Sequence, residues 1–382
     1  MRIWRNLLCA GTALCVGAGC GERTLDEEAG PVIDDYAAIA RAGYADSASK
    51  AEELKAAVDA FVASPGAATL EAARTAWKAA REPYGQTEAF RFYDGPIDDP
   101  ATGPEGRINA WPLDEAHIDY VQGNPASGII NDPAAFPTLS KTLLADQNEN
   151  GGEKNISAGY HALEFLLWGQ DLSSSGPGDR PHTDYVTGGG GTATHQDRRG
   201  QYLRLAAELL VDDLHAVRDA WAAGEAGYGQ QLRTAGAKEA LRRMLVGMGS
   251  LAGAELSGER MVVAYDNRDQ EDEHSCFSDN THRDLHLNAL AVQNVYLGRY
   301  GNIDGPGLDE LVRSRDADLD AKLKQQLEAS VAAVQAIPAP FDQAIHDDTA
   351  RAKILAAVRA LQDQTDTIVE VASLLGIQIN VQ

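Results

Sequence analysis

Long stripes of apolar residues at steps of three and four, interrupted only briefly, constrain this chain more than any other feature. Between Gly30 and Val62 the stripe is Ile33, Tyr36 and Ile39, then Leu54, Val58 and Phe61, the spacing that lines one face of a helix. Leu70, Ala73, Trp77 and Ala80 repeat it until Pro83, where a break or kink is predicted because proline cannot donate the next helical hydrogen bond. Leu319, Leu323, Leu327, Val331 and Val334 form another stripe that stops at "IPAP", and Ile354, Val358, Leu361, Ile368, Ala372 and Leu375 keep a nearly heptad spacing. Alternation of the strand type is almost absent. The pattern predicts an all-α fold of helical bundles.

At 382 residues the chain is long enough for two domains, each with its own core. The one strong shift in composition is residues 173–200, rich in Gly, Ser and Thr with four consecutive glycines, which hold regular structure poorly. A linker or surface loop is predicted there, dividing an N-terminal bundle at 31–172 from a C-terminal bundle at 201–382. A second irregular stretch, residues 93–112, contains four prolines together with Arg107, Asn109 and Trp111. Long loops within compact domains either connect or roof a site, and both readings stand.

The first twenty residues read as a secretory signal: Arg2 and Arg5, then an apolar run from Leu7 to about Ala18, too short to span a membrane. Gly17, Ala18 and Gly19 before Cys20 resemble a bacterial lipoprotein cleavage box. Cys20 is then the lipidated residue, so the membrane is met through acyl chains only. By the same resemblance Gly21 favours the outer membrane, facing the periplasm or the surface. Cleavage would leave Cys276 as the mature chain's lone thiol, without an intramolecular disulfide. Lys and Arg total 33 against 57 Asp and Glu, a net charge of -24. Such a field repels nucleic acid and anionic lipid. It suits metal ions or cationic ligands, or simply a solvated surface.

The stretch "SAGYHALEFLLWGQ", residues 157–170, sets His161 and Glu164 three apart in an almost wholly apolar helix. That spacing makes them neighbours, and a buried carboxylate needs a cation, a metal or strong donors. They either ligate a metal or satisfy each other or a nearby Arg. Residues 265–284, "YDNRDQEDEHSCFSDNTHRD", gather Asp269, Glu271, Asp272, Glu273, His274 and Cys276. Imidazole with carboxylate suits zinc, iron or manganese, and Cys276 would add a soft ligand. The other reading is an acidic start to the following helix, favourable at the positive end of its dipole. Trp77, Arg81 and Glu88 share one helical face and could bring a guanidinium and a ring to the same notch, Arg81 pairing with a carboxylate such as Glu164. There is no His-Glu-x-x-His, Gly-x-Ser-x-Gly, phosphate-loop or dinucleotide motif.

"GYHALEFLLWGQDL", "AWKAAREPYGQTEAFRF", "INAWPLDEAHIDYV" and "NRDQEDEHSCFSDNTHRD" followed by "NVYLGRY" together resemble the imelysin family, more closely its iron-regulated protein A branch, over roughly residues 32–375. The resemblance implies two related antiparallel helical bundles with a cleft between them, export to the bacterial cell envelope and a part in iron acquisition. It makes His161 and Glu164 the metal-ligand candidates. Trp77, Arg81, Glu88, Trp111, Asp269, Glu273 and His274 are the expected cleft residues, and the last three are the second domain's contribution. Iron, zinc or a small iron-containing ligand is the expected partner; no protein partner is implied. A metal-dependent peptidase is the alternative, although the first motif supplies at most two ligands. With ordinary pKa values, a site using ionised Glu164 and neutral His161 weakens below about pH 5 to 6.

Overall fold

The computed structural model describes residues 24–381. The expected signal segment 1–20, with Cys20, lies outside the described residues. Eight principal helices carry the described fold: α1 (Leu25–Ala63), α2 (Ala67–Gly85), α3 (Gly159–Trp168), α4 (Gln196–Ala220), α5 (Ala237–Ser250), α6 (Thr281–Leu297), α7 (Ala317–Gln335) and α8 (Asp348–Leu374). The two-residue strands Arg299–Tyr300 and Ile303–Asp304 pair antiparallel. The fold is all-α, as the stripes predict. No helix among the described residues is long and apolar enough to cross a membrane.

Local signals explain the helix ends. Thr24 Oγ1 accepts from the Glu27 backbone N–H, and the Glu27 carboxylate accepts in return from the Thr24 N–H, a reciprocal cap that satisfies donors the helix leaves free. Asp26, Glu27 and Glu28 in the first turn favour the positive end of the dipole. Asp316 and Asp347 cap α7 and α8 with carboxylates that accept from backbone N–H groups of the first turn. Pro83 falls in the last turn of α2, which continues only to Gly85. It therefore terminates the helix without breaking its face.

The apolar stripe of α1 is buried against α2, α4 and α5. Tyr36 meets Phe90 and Trp221 edge-on, with ring centroids 5.2 and 6.0 Å apart, a favoured geometry for aromatic quadrupoles. A second group of helices, α6, α7 and α8, packs together with a π-helical segment, Leu251–Val262, that continues α5. The boundary expected at 173–200 would place α4 with this second group. Instead α4 packs on α1 and α3, because Tyr202, Leu203, Ala206, Leu210, Leu214 and Val217 form an apolar stripe that faces them.

Residues 173–200 are also more tied down than their composition suggests. Arg180 and Arg199 both hold the buried Asp119, at 2.6 Å and at 2.7 and 2.8 Å. Tyr185 donates to the Leu166 carbonyl at 2.6 Å. Around Ser174–Ser175 and Thr187–Gly190 the segment is exposed without packing of this kind.

Candidate functional site

Helix α3 is buried at all ten of its residues, and its first residue explains how it approaches a loop so closely. Gly159 has φ +83, and a Cβ there would lie 2.5 Å from the Ile108 carbonyl oxygen. Only glycine tolerates both the left-handed backbone and the contact. The stretch 105–111 thereby comes to rest on the start of α3, two residues before His161.

His161 and Glu164 bond each other within the helix, Nδ1 to Oε2 at 2.9 Å. The other Glu164 oxygen accepts from the backbone N–H and the hydroxyl of Ser278, at 3.0 and 2.6 Å. Both carboxylate oxygens are therefore engaged. His161 Nε2 is buried with no hydrogen-bond partner. Around that nitrogen's ring stand His274, with centroids 4.7 Å apart, and Trp111 at 5.0 Å.

Burial dominates the electrostatics here. It holds the His161 imidazolium well below its usual range, helped by His274 and Arg81. Burial lowers His274 to about 4, with Arg260 adding to the effect. Glu164 is pushed up to about 8 because burial outweighs the Ser278 hydrogen bonds. Both imidazoles are thus neutral at pH 7 and able to act as donors to a metal.

Behind these groups lies an ionic layer. Arg81 Nε donates to Asp284 at 3.1 Å, and Arg81 Nη1 to Asn109 Oδ1 at 2.5 Å. Its guanidinium also lies 4.9 Å from the Tyr160 ring. Asp284 accepts from the Ser275 hydroxyl at 2.5 Å and stands 3.5 Å from His274 Nδ1. Burial opposes the Asp284 charge, but Arg81 and His274 hold its carboxyl far below the usual range. Glu88 is similarly ionised despite burial, because it pairs with Arg91 at 2.8 Å and Arg260 at 2.6 Å.

A cleft of about 360 Å³ opens in front of this layer. Trp111, Asn109 and His274 form its inner wall; Arg91, Arg260 and the carboxylates Glu105, Glu149, Glu255, Glu259 and Asp272 line the remainder. Glu255, Glu259 and Arg260 all come from the π-helical segment, a helix form frequent at functional sites.

The expected site residues divide accordingly. Trp111 and His274 stand in the cleft wall, with His161 in ring contact behind them. Trp77 does not reach the cleft: it is core, its Nε1 donating to the Tyr160 carbonyl at 2.8 Å. Arg81 pairs with Asp284 and not with Glu164, and Glu88 lies on the Arg91 and Arg260 side. Asp269 is exposed and only caps the 3₁₀ turn Gln270–Asp272. Glu273 is buried but faces other carboxylates, Asp171, Asp279 and Asp342. Glu271 lies in that 3₁₀ turn and His274 beyond it, so no helix brings the two together. The acidic helix start is also absent, since α6 begins at Thr281 with Asp284 alone in its first turn. Cys276 is a buried free thiol, pushed well up by burial and thus a protonated, poor ligand.

Ser278 and Arg260 belong to the site without having been singled out. Arg260 follows Glu259 in "LSGERMVV", the composition of an ordinary amphipathic helix, and carried no local signal of burial. Ser278 carried none.

The donor chemistry fits a metal in part. His161 Nε2 and the neighbouring His274 ring offer two neutral imidazoles, and the carboxylate on Nδ1 is the usual support of a metal-bound histidine. Among the described residues, no three His, Cys, Asp or Glu side chains already stand together as a metal site.

The imelysin family model matches residues 40–368. Iron-regulated protein A of Synechococcus elongatus is 25% identical over 373 residues, covering 95% of this chain and 90% of that protein. The crystal structure of an iron-regulated protein A precursor from Parabacteroides distasonis superposes with a TM-score of 0.73 at 21% identity, over 93% of this chain and 97% of that one. An imelysin-like protein from Psychrobacter arcticus gives 0.66 at 15% identity, over 94% and 98%.

Proposed function

The chain belongs to the imelysin family, and on that premise we propose that it is a cell-envelope protein of iron acquisition that captures a metal ion at the inner end of its cleft. The observation that carries the proposal is the orphaned His161 Nε2 beside the His274 ring, both imidazoles neutral and one layer from solvent. Those two histidines would be the donors. Glu164 serves as the residue that holds Nδ1–H of His161 and so presents the Nε2 lone pair. Asn109, 3.5 Å from His274 Nε2, and Asp284 orient the second ring. Five carboxylates against Arg91 and Arg260 along the cleft favour entry of a cation. A bound iron or zinc would supply Lewis acidity.

The link to iron rests on the name of the Synechococcus relative. Anchoring by a lipid on Cys20 and an extracytoplasmic location complete the proposal. The test is metal titration of the chain lacking residues 1–20, with Fe(II) and Zn(II), beside His161→Ala and His274→Ala. One ion bound by the parent and lost in both folded variants supports the site. Undiminished binding in either variant removes that histidine from it, and a peptide-cleavage assay on the loaded protein separates capture from hydrolysis.

A further inference from the structure

The cleft is larger than a metal ion needs, and its mouth has a chemistry of its own. Its volume of about 360 Å³ lies within the range of small-molecule sites. The two guanidiniums in its wall are already committed: Arg91 to Glu88 at 2.8 Å and Glu105 at 2.9 Å, Arg260 to Glu88 at 2.6 Å and Glu255 at 2.8 Å. Three wall carboxylates are left over. Glu149 and Glu259 are exposed and have no cationic partner among the described residues, and Asp272 accepts from a neutral group, the Asn267 amide, at 2.7 Å. Glu149 is also placed with care: it holds a left-handed backbone, φ +59, and a Cβ on Gly106 would lie 3.0 Å from its Oε1. The glycine lets this carboxylate fold back onto the 105–111 stretch and so into the wall.

Trp111 stands among these acids. Its ring packs 5.0 Å from that of His161 and 5.8 Å from that of Phe277, both fully buried, while Trp111 itself is only half-buried where it lines the cleft. At the inner end His274 is 3% exposed with Nδ1 lacking a hydrogen-bond partner, and the His161 Nε2 behind it lacks one too. The protein therefore leaves polar capacity unsatisfied at both ends of one cavity. Among the described residues no three acids stand close enough to hold a metal ion, and an indole offers a metal no lone pair. Negative charge spread around an aromatic ring suits an extended organic cation instead, whose charge is attracted by the ring face as well as by the carboxylates. We propose that the mouth of the cleft binds a small organic cation, a primary ammonium or guanidinium on an aliphatic stem, with Trp111 against it and Glu149, Glu259 and Asp272 as its counter-charges. The site goes beyond metal capture and does not depend on it, because the two histidines are not its ligands.

The experiment titrates agmatine into the chain lacking residues 1–20, freed of metal, at about 0.15 M NaCl so that the bulk field is screened. Calorimetry and tryptophan fluorescence are the readouts. One agmatine is expected to bind saturably, in the millimolar range or tighter, and butylurea, an uncharged counterpart, not at all. Glu259→Gln, an exposed change that leaves the fold intact, weakens binding about threefold, and Trp111→Leu about fivefold or more. Glu328→Gln removes the same charge from the exposed face of α7 and changes nothing. The blocked tripeptide acetyl-Ala-Arg-Ala-amide tells two sources apart: tighter binding than agmatine assigns the cation to a peptide side chain, weaker binding to a free amine. Zn(II) titration of the same samples keeps the two readings separate, because agmatine bound without zinc sinks the metal site alone, and zinc bound without agmatine sinks this one alone. Three outcomes overturn the proposal: no saturable agmatine binding in the parent, equal binding of butylurea, or a loss in Glu328→Gln as large as that in Glu259→Gln.

Discussion

Residues 273–284 send carboxylates into two regions that treat buried negative charge in opposite ways. Asp284 meets Arg81, Ser275 and Asn280 and is ionised; Glu273, equally buried, has only the Thr281 hydroxyl to ease its charge and is held far above the usual range by burial, with Asp342, Asp279 and Asp171 adding to it. Burial alone therefore does not set the charge state. The partner does. The inner site owes its ordered hydrogen bonds to Arg81, whereas the outer cluster has no equivalent guanidinium.

Asp284→Asn should have the largest effect on the inner site. It leaves Arg81 buried without its counter-ion, so a loss of about 3–5 kcal/mol is expected in urea denaturation. A loss under about 1 kcal/mol would mean that water or Asn109 suffices for Arg81, and the two regions would differ less than their geometry suggests. Conversely, the Asp284 contribution is present above the ordinary carboxylate range and is lost as pH falls through its depressed folded value.

Next in size is Glu164→Gln, expected to weaken metal binding about 10–100-fold while leaving the fold intact. The same residue sets the pH dependence of capture. A protonated Glu164 would place its proton toward Nδ1 and leave Nε2 without its lone pair. Binding therefore releases a proton below the Glu164 value of about 8, and affinity should fall about tenfold per pH unit below it. This replaces the weakening at pH 5 to 6 expected from ordinary values, and the cause is burial. Isothermal titration in buffers of different ionisation enthalpy measures the proton directly; a flat profile from pH 8 to pH 6 would remove Glu164 from the proton balance.

The outer cluster should titrate in the opposite sense from Asp284. Burial raises Asp171 to about 6 and Asp279 to about 7, so the folded state holds their protons more tightly than the unfolded chain. Their contribution is complete below about pH 4 and is lost as pH rises through 6 to 7. Asp171→Asn should flatten this pH dependence by under about 1 kcal/mol once solvent screening is counted, read from urea midpoints across pH 4–8. The smallest effect belongs to Asp269→Ala: an exposed cap on one short turn, it should cost under about 1 kcal/mol and leave metal titration unchanged.

How much of this was legible in the sequence depends on separation along the chain. The stripes of α1, α7 and α8 were, because helical packing repeats every three or four residues. So were His161 and Glu164, one turn apart in an apolar run. The Arg81–Asp284 pair was not, since its members are 203 residues apart and no local period links them. Trp77 was misread for the opposite reason: an aromatic on a helical stripe looks the same whether it faces core or cleft. Glu273 and His274 were grouped because they adjoin, yet Glu273 has extended backbone, φ -76 and ψ 145, and successive side chains on extended backbone point to opposite sides. The π-helical segment left no mark, because its composition is that of any amphipathic helix.

Helix α1 also bears on the order in which the molecule can be assembled. Synthesis yields α1 and α2 early, but α4 and α5, which cover the rest of the α1 stripe, are made only after the whole irregular stretch and α3. A nascent chain halted near residue 172 would lack Trp221, against which Tyr36 packs, and would leave the part of the α1 stripe that α4 and α5 cover open to solvent, an adhesive surface in a crowded cell. The N-terminal segment is therefore poorly suited to maturing ahead of the remainder, and α4 and α5 can cover the α1 stripe only once residue 250 has emerged, before α6, α7 and α8 are made.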